Sequence, residues 1–186
     1  ESAGWRRLDL EAVRSIISDV KLSRLGTFKR ESEIIKRLNL TIDDELDSDA
    51  RTSVEAHLHG MLNRFVIHLH PDATGAYTSA ANGQAAIEKI LKAVKINPLW
   101  IPYCDPGFML ANKVKKLIGE YKEQYGRSPD VLILQKHGLF VTADDADKTL
   151  GLVRKVIKAC QAKLKTEPAI KIKSVDSQVI NATKFA

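Results

Sequence analysis

Apolar residues recur with two different periods along the chain, which predicts helices that alternate with short strands. Helical spacing of the apolar residues predicts helices over residues 10–20, 29–38, 53–63, 85–94, 106–125 and 145–160. Short apolar runs predict strands over residues 65–69, 99–101, 131–134 and 139–141. This alternation places the fold in the α/β class, and the pattern leaves the order of the strands open.

Polar residues and a glycine at the ends of these segments support the helix assignments. Asp9 and Asp144 each precede a helical pattern, where a carboxylate can cap the first turn. Asp105 precedes Pro106, which combines a capping side chain with the residue favoured at the first helical position. Gly126 predicts the end of that helix.

Length and composition predict one domain over residues 1–186. The 186 residues are 44% hydrophobic and 28% charged, which suffices for a single core of ordinary size. The acidic stretch 41–49 is predicted to be a loop, and the tail after Pro168 fits no pattern. No internal repeat or low-complexity segment interrupts this organisation.

The expected setting of the protein follows from what its sequence lacks. No apolar run approaches the roughly 20 residues that span a bilayer, so no membrane partner is expected. Residues 1–7 lack the apolar centre of a secretory signal. Cys104 and Cys160 form no C-x-x-C pair, which favours a reduced, cytoplasmic protein.

The positive charge of the chain is moderate. Its net charge of +6 is spread over predicted helix faces, and no basic stripe with interleaved aromatic residues occurs. Nucleic acid is therefore not an expected partner. A positive field can still attract small anionic substrates.

A group of histidines carries the candidate chemistry. His68 and His70 lie at the end of the apolar run 65–69, where residues i and i+2 of a strand share one face. His137 ends another apolar strand and precedes Gly138, a residue that lets other groups approach the backbone. Three such imidazoles are a sensible ligand set for a divalent metal, because catalytic zinc sites use three protein ligands and leave one position open.

Other interpretations of these histidines remain open at this point. A single H-x-H occurs on surfaces and in hydrogen-bonded cores without a metal. The string from His68 to Asp72 begins like the metallo-β-lactamase H-x-H-x-D-H motif, but Ala73 stands at the last position. Amidohydrolases also carry H-x-H, on a barrel that needs at least about 200 residues.

Two further histidines lie close to Glu55 in sequence. His57 is expected to face away from Glu55 and to be either a surface residue or a hydrogen-bonded core residue. His59 lies one helical turn from Glu55 and could hydrogen-bond it.

The motifs together resemble the class II aldolase/adducin family in order, spacing and context. They are Ser53-Val54-Glu55, His59, His68-Leu69-His70 and Lys136-His137-Gly138. The string from Trp100 to Phe108 is similar to that family's Pro-Tyr…Pro-Gly stretch before a helix. Within the family, the chain is most similar to the aldolase portion of bifunctional aldolase/short-chain dehydrogenases.

The resemblance implies a fold and a site. The fold is a three-layer α/β/α architecture around a mainly antiparallel central sheet, commonly assembled as a homotetramer. His68, His70 and His137 would bind Zn²⁺ or another divalent ion. Glu55 would be the general acid/base, and Ser53 would contact the substrate.

The implied activity is that of a metal-dependent aldolase, an aldehyde-lyase that cleaves a small sugar or sugar phosphate. A Lewis-acidic ion held by neutral imidazoles stabilises the enediolate that this cleavage produces. Alternatives within the family are an epimerase, a dehydratase or a decarboxylase. A non-catalytic, adducin-like binding module is a further alternative, although such modules lack the metal histidines.

The chain departs from the family pattern at three points. The Gly/Asn/Ser-rich anion-binding loop is expected before a point equivalent to residue 1, so the sequence is predicted to begin partway into its gene product. Val54 follows Ser53 where many sugar-phosphate aldolases have a second serine. No residue matches the C-terminal tyrosine that some relatives lend to a neighbouring subunit.

Overall fold

A computed structural model of the protein describes residues 5–45 and 51–164. The tail after Pro168 and part of the acidic stretch 41–49 lie outside these residues. The helices are α1 (Leu10–Ser18), α2 (Val20–Ser23), α3 (Thr27–Leu40), α4 (Ala56–His59), α5 (Asp72–Thr78), α6 (Gly83–Ala93), α7 (Phe108–Tyr125) and α8 (Ala146–Gln161). The strands are β1 (Phe65–Leu69), β2 (Leu99–Ile101), β3 (Val131–Leu134) and β4 (Leu139–Ala143).

The strands form one sheet in the order β1-β4-β3-β2. Strand β4 pairs antiparallel with β1 and with β3, whereas β2 and β3 are parallel. The sheet is thus mixed but mainly antiparallel, as predicted. Because β1, β2 and β3 all run in the same direction, their carboxyl ends meet at one edge of the sheet.

Helices cover both faces of the sheet, which confirms the predicted three layers. Val131 and Ile133 of β3 face one layer, whereas Leu132 and Leu134 face the other. The first layer contributes the buried residues Ala73, Ile87, Leu91, Val153, Val156 and Cys160 from α5, α6 and α8. The second layer contributes Leu58 of α4 and Leu110, Val114 and Ile118 of α7.

A further cluster joins the first helices to the α7 side of the sheet. It consists of the buried residues Val13, Ile16, Leu22, Ile34, Leu38 and Phe108. The carboxylate of Asp9 accepts a hydrogen bond from the Ala12 amide at 3.0 Å, so its predicted capping role is confirmed. None of the helices among the described residues is long and apolar enough to cross a membrane.

The predicted helix over residues 53–63 is much shorter in the structure. Only α4 is helical, and its C-cap is Gly60. The prediction was wrong because the chain must turn within a few residues to enter β1 at Phe65. Leu58 is nevertheless buried, as its apolar spacing predicted.

Two predicted helix starts also differ from the structure. Asp105 does not cap α7, since its carboxylate accepts a hydrogen bond from the Tyr103 hydroxyl at 2.8 Å. Gly107 occupies the N-cap with φ 114°, a conformation that favours glycine. Asp145 rather than Asp144 caps α8, through a 2.7 Å hydrogen bond from the Lys148 amide.

Candidate metal centre

Three imidazoles converge at the edge where β1, β2 and β3 end. His68 lies in β1, His70 follows the last residue of that strand, and His137 lies in the turn between β3 and β4. Their ligand nitrogens all lie within 4.8 Å of one another. The structure therefore brings together all three residues that the sequence suggested as metal ligands.

The imidazole of His68 is oriented by the neighbouring strand. Its Nδ1 lies 3.1 Å from the carbonyl oxygen of Leu139 in β4. Because only an N–H can donate to a carbonyl, this contact places the proton on Nδ1. The lone pair of Nε2 then faces His70, whose Nε2 lies 3.0 Å away.

Gly138 provides the space that the ring of His70 occupies. A Cβ atom at this position would lie 2.4 Å from Cδ2 of His70 and 2.8 Å from the carbonyl oxygen of Leu69. Neither contact can be relieved easily, since one partner is backbone and the other is an imidazole in the site. The sequence prediction that Gly138 permits a close approach agrees with this geometry.

The turn that carries His137 has an unusual backbone conformation. Lys136 adopts φ 56°, in the left-handed region that non-glycine residues seldom occupy. Its amide donates a hydrogen bond to the carbonyl oxygen of Thr78 at 3.0 Å, which ties the turn to the end of α5. Burial lowers the pKa of the His137 imidazole below its ordinary value, so the neutral, ligand-competent form is favoured.

Glu55 supplies the carboxylate beside the three imidazoles. Its Oε1 lies 3.0 Å from Nε2 of His137, and its Oε2 lies 3.3 Å from Nε2 of His68. The imidazole of His68 beside it lowers the pKa of the Glu55 carboxyl, although partial burial opposes this shift. The side chain is therefore an anion at neutral pH.

The donor set fits a divalent cation. Within the described residues, Oε1 of Glu55 is buried and makes no hydrogen bond, although an imidazole nitrogen lies close to it. An uncompensated buried carboxylate oxygen is costly, and a cation between it and the imidazoles would remove that cost. Three imidazole nitrogens, with a carboxylate close by, are a ligand set that Zn²⁺ and related ions accept.

Ser53 and His59 lie near the site without contacting its centre. The hydroxyl of Ser53 accepts a hydrogen bond from the Glu55 amide at 3.1 Å and so holds the start of α4. Its role in substrate binding stays a prediction. His59 makes no hydrogen bond to Glu55, and its ring instead approaches Phe140 edge-on at 5.2 Å.

His57 is a core residue, which is one of the two possibilities that its position in the sequence left open. It is 1% exposed, and burial lowers the pKa of its imidazole. The backbone of Gly107 beside the ring opposes that shift. The contact ties α4 to the start of α7.

Sequence reasoning missed the residues that support the imidazoles from β4. Leu139 and Phe140 belong to a fully buried strand, and such a strand carries no periodic signal that marks one residue as special. Only the register, which pairs His68 with Phe140, places an aromatic ring against the imidazole.

Comparison with known proteins adds independent information. The model of a family described as the class II aldolase and adducin N-terminal domain matches residues 21–164. A solved N-terminal class II aldolase domain of a conserved protein from Thermoplasma acidophilum has a TM-score of 0.66 at 23% identity, covering 85% of this chain. An aldolase II superfamily protein from Pseudomonas syringae has a TM-score of 0.47 at 16% identity, covering 78% of this chain.

This chain spans 65% of the length of the Thermoplasma structure and 60% of that from Pseudomonas. Among curated proteins, none matches the chain significantly in sequence. The Thermoplasma structure supports the fold, and the expectation of one domain over residues 1–186 stays a prediction because the family match covers residues 21–164.

Proposed function

This chain belongs to the class II aldolase and adducin family, and on that basis we propose that it is a metal-dependent aldehyde-lyase. Its substrate is a small sugar or sugar phosphate. The observation that carries the proposal is the convergence of three imidazoles within 4.8 Å of one another, with a carboxylate 3.0 Å from one of them. A binding module without chemistry has no need of this arrangement.

His68, His70 and His137 would hold the metal ion, as the resemblance of the motifs suggested. When bound, the ion supplies Lewis-acid stabilisation of the negative charge that develops on the carbonyl-bearing fragment. Three neutral ligands leave the full positive charge of the ion for this purpose. Zn²⁺ is the expected ion, and another divalent ion would fit the same donor set.

Glu55 is the group that moves the proton. In an aldol cleavage, the hydroxyl group β to the carbonyl loses its proton and becomes an aldehyde while the C–C bond breaks. The bonding electron pair stays on the carbonyl-bearing fragment, which then takes up a proton at carbon. An ionised carboxylate that faces the imidazoles can accept a proton and return it at this carbon.

Ser53 contacts the substrate from the start of α4, next to Glu55. The protein works as a homotetramer in the cytoplasm. The net charge of +6 favours the approach of a phosphorylated substrate over long range.

The experiment is an assay of Zn²⁺-loaded protein with matched pairs of ketoses and ketose phosphates. A coupled dehydrogenase detects the released aldehyde, and chromatography identifies all products. Two carbon fragments support the lyase. An isomer would instead indicate an epimerase, a dehydrated sugar a dehydratase, and carbon dioxide a decarboxylase. Glu55→Gln serves as the matched inactive variant, and equal product formation by this variant would contradict the assignment.

A further inference from the structure

The ring of Phe140 lies flat against the imidazole of His68. The two ring centroids are 3.8 Å apart, and the planes differ by 14°. The residues are directly opposite one another in the antiparallel pairing of β1 with β4. Phe140 is 0% exposed, so the surrounding core fixes its own position.

His68 needs such support because the last torsion of a histidine side chain is weakly restricted. Rotation about this bond has broad, roughly two-fold minima. The hydrogen bond from Nδ1 to the Leu139 carbonyl fixes the tautomer and one edge of the ring. It still allows the ring to tilt about the axis of that bond, and the flat contact with Phe140 removes this remaining freedom.

A second imidazole also packs against Phe140. The ring of His59 meets it at 5.2 Å between centroids and an angle of 66°. The centroids of His59 and His68 are 6.2 Å apart, so the three rings form one packed group. By contrast, the ring contacts that the described structure gives His70 are with His68 and His137.

We propose that Phe140 is a positioning residue for the candidate metal ligand His68. Its ring sets the plane of the imidazole, so that Nε2 points into the space shared by His70, His137 and Glu55. The inference rests on the proposed function, since it concerns how this chain prepares one ligand for a metal ion. It assigns a specific task to a residue of the apolar core.

The experiment compares Phe140→Leu with Phe108→Leu. Phe108 belongs to the buried cluster of Val13, Ile16, Leu22, Ile34 and Leu38 and is 1% exposed. Among the described residues, the ring contacts of the three imidazoles do not include Phe108. Both substitutions leave a smaller apolar side chain in a core and are expected to lower the thermal stability of the metal-free protein. Zn²⁺ affinity is measured by competition with a chromophoric chelator, and the geometry of the site is measured from the visible absorption of bound Co²⁺.

Phe140→Leu is expected to weaken Zn²⁺ binding by about tenfold or more, in the range found for residues that orient metal ligands. Its Co²⁺ spectrum should also change. Phe108→Leu should keep the affinity and spectrum of the wild-type chain. Phe140→Tyr, which retains the ring, should keep the wild-type Co²⁺ spectrum. Wild-type affinity and spectrum in Phe140→Leu would overturn the inference.

Two further results distinguish failure of the proposed function from failure of the Phe140→Leu variant to fold. If the wild-type chain takes up neither Zn²⁺ nor Co²⁺, the proposed function itself is wrong. If Phe140→Leu does not fold, NMR of the metal-free wild-type chain decides the question. The ring current of Phe140 should shift the ring protons of His68 upfield of those of His70, and equal shifts would contradict the contact.

Discussion

The Nε2 atoms of His68 and His70 lie 3.0 Å apart. With the proton of His68 placed on Nδ1 by the Leu139 carbonyl, its Nε2 presents a lone pair to the neighbouring ring. An N–H on Nε2 of His70 can donate to this lone pair, and a cation between the two nitrogens would bind both imidazoles. The pair is therefore arranged to hold either a hydrogen bond or a metal ion.

His68→Ala should abolish metal binding and leave the fold intact. The substitution removes the best-oriented of the three imidazoles, and we expect metal affinity to fall by more than about 100-fold, beyond the effect of losing an orienting neighbour. Metal content after dialysis and circular dichroism measure the two properties. Global unfolding of the variant would indicate a structural metal instead of a catalytic one.

Glu55→Gln should keep the metal and lose turnover. The amide has nearly the same shape but cannot serve as the base, so we expect the rate to fall by about 10²–10⁴-fold. Steady-state kinetics at saturating metal measure this loss. Glu31→Gln is the control, since Glu31 lies near Gly107 and hydrogen-bonds Arg30 rather than an imidazole. A comparable loss of rate in the control would refute a specific role for Glu55.

Gly138→Ala should weaken metal binding because its Cβ atom would lie 2.4 Å from the ring of His70. Isothermal titration with Zn²⁺ measures the change in affinity. Gly151→Ala is the matched control in α8, where a Cβ atom would meet nothing within 4 Å. This control should keep wild-type affinity and gain about 0.5–1 kcal/mol of stability, since alanine replaces glycine within a helix. Unchanged affinity in Gly138→Ala would show that His70 does not bind the metal.

The metal-free protein should become less stable as the pH falls below neutral. Burial lowers the pKa of His57 in the folded state below its ordinary value of 6.5, so the unfolded chain binds the proton more readily. The free energy of unfolding therefore decreases as the pH falls through 6.5 towards the lower folded value, and above this window the pH has no effect through His57. Denaturant titrations with a chelator present, at a series of pH values, measure this trend.

His57→Gln isolates the contribution of that residue to the acid sensitivity. Burial also lowers the pKa values of His59 and His137, so the variant should show a shallower pH dependence rather than none. An equally steep dependence in the variant would exclude His57 as a source.

Local patterns predicted much of the fold. The apolar run 65–69, the strand 131–134 and the C-cap at Gly126 were all visible in sequence, because each depends on the residues of its own segment. The structure adds α5 at Asp72–Thr78, which carries only weak helical spacing. The error at Asp105 arose because its carboxylate had a competing partner, the Tyr103 hydroxyl.

The candidate site was likewise predictable from local spacing only in part. The period of a strand places His68 and His70 on one face, so their proximity was predictable from spacing. The approach of His137 depends on the pairing of β4 with β1, which no local pattern specifies. The family resemblance supplied this information, because it carries the geometry of whole folds rather than of single segments.

The pairing of β1 with β4 also has a consequence for the order of events in the cell. During synthesis, residues 65–70 leave the ribosome well before residues 137–143, which form the turn and the strand that support them. His68 and His70 are therefore synthesised before the strand that pairs with β1. The pairing of β1 with β4 closes a long loop of chain, which is slow compared with forming a helix. In the proposed enzyme, uptake of the ion would thus be a late step, after translation has passed β4.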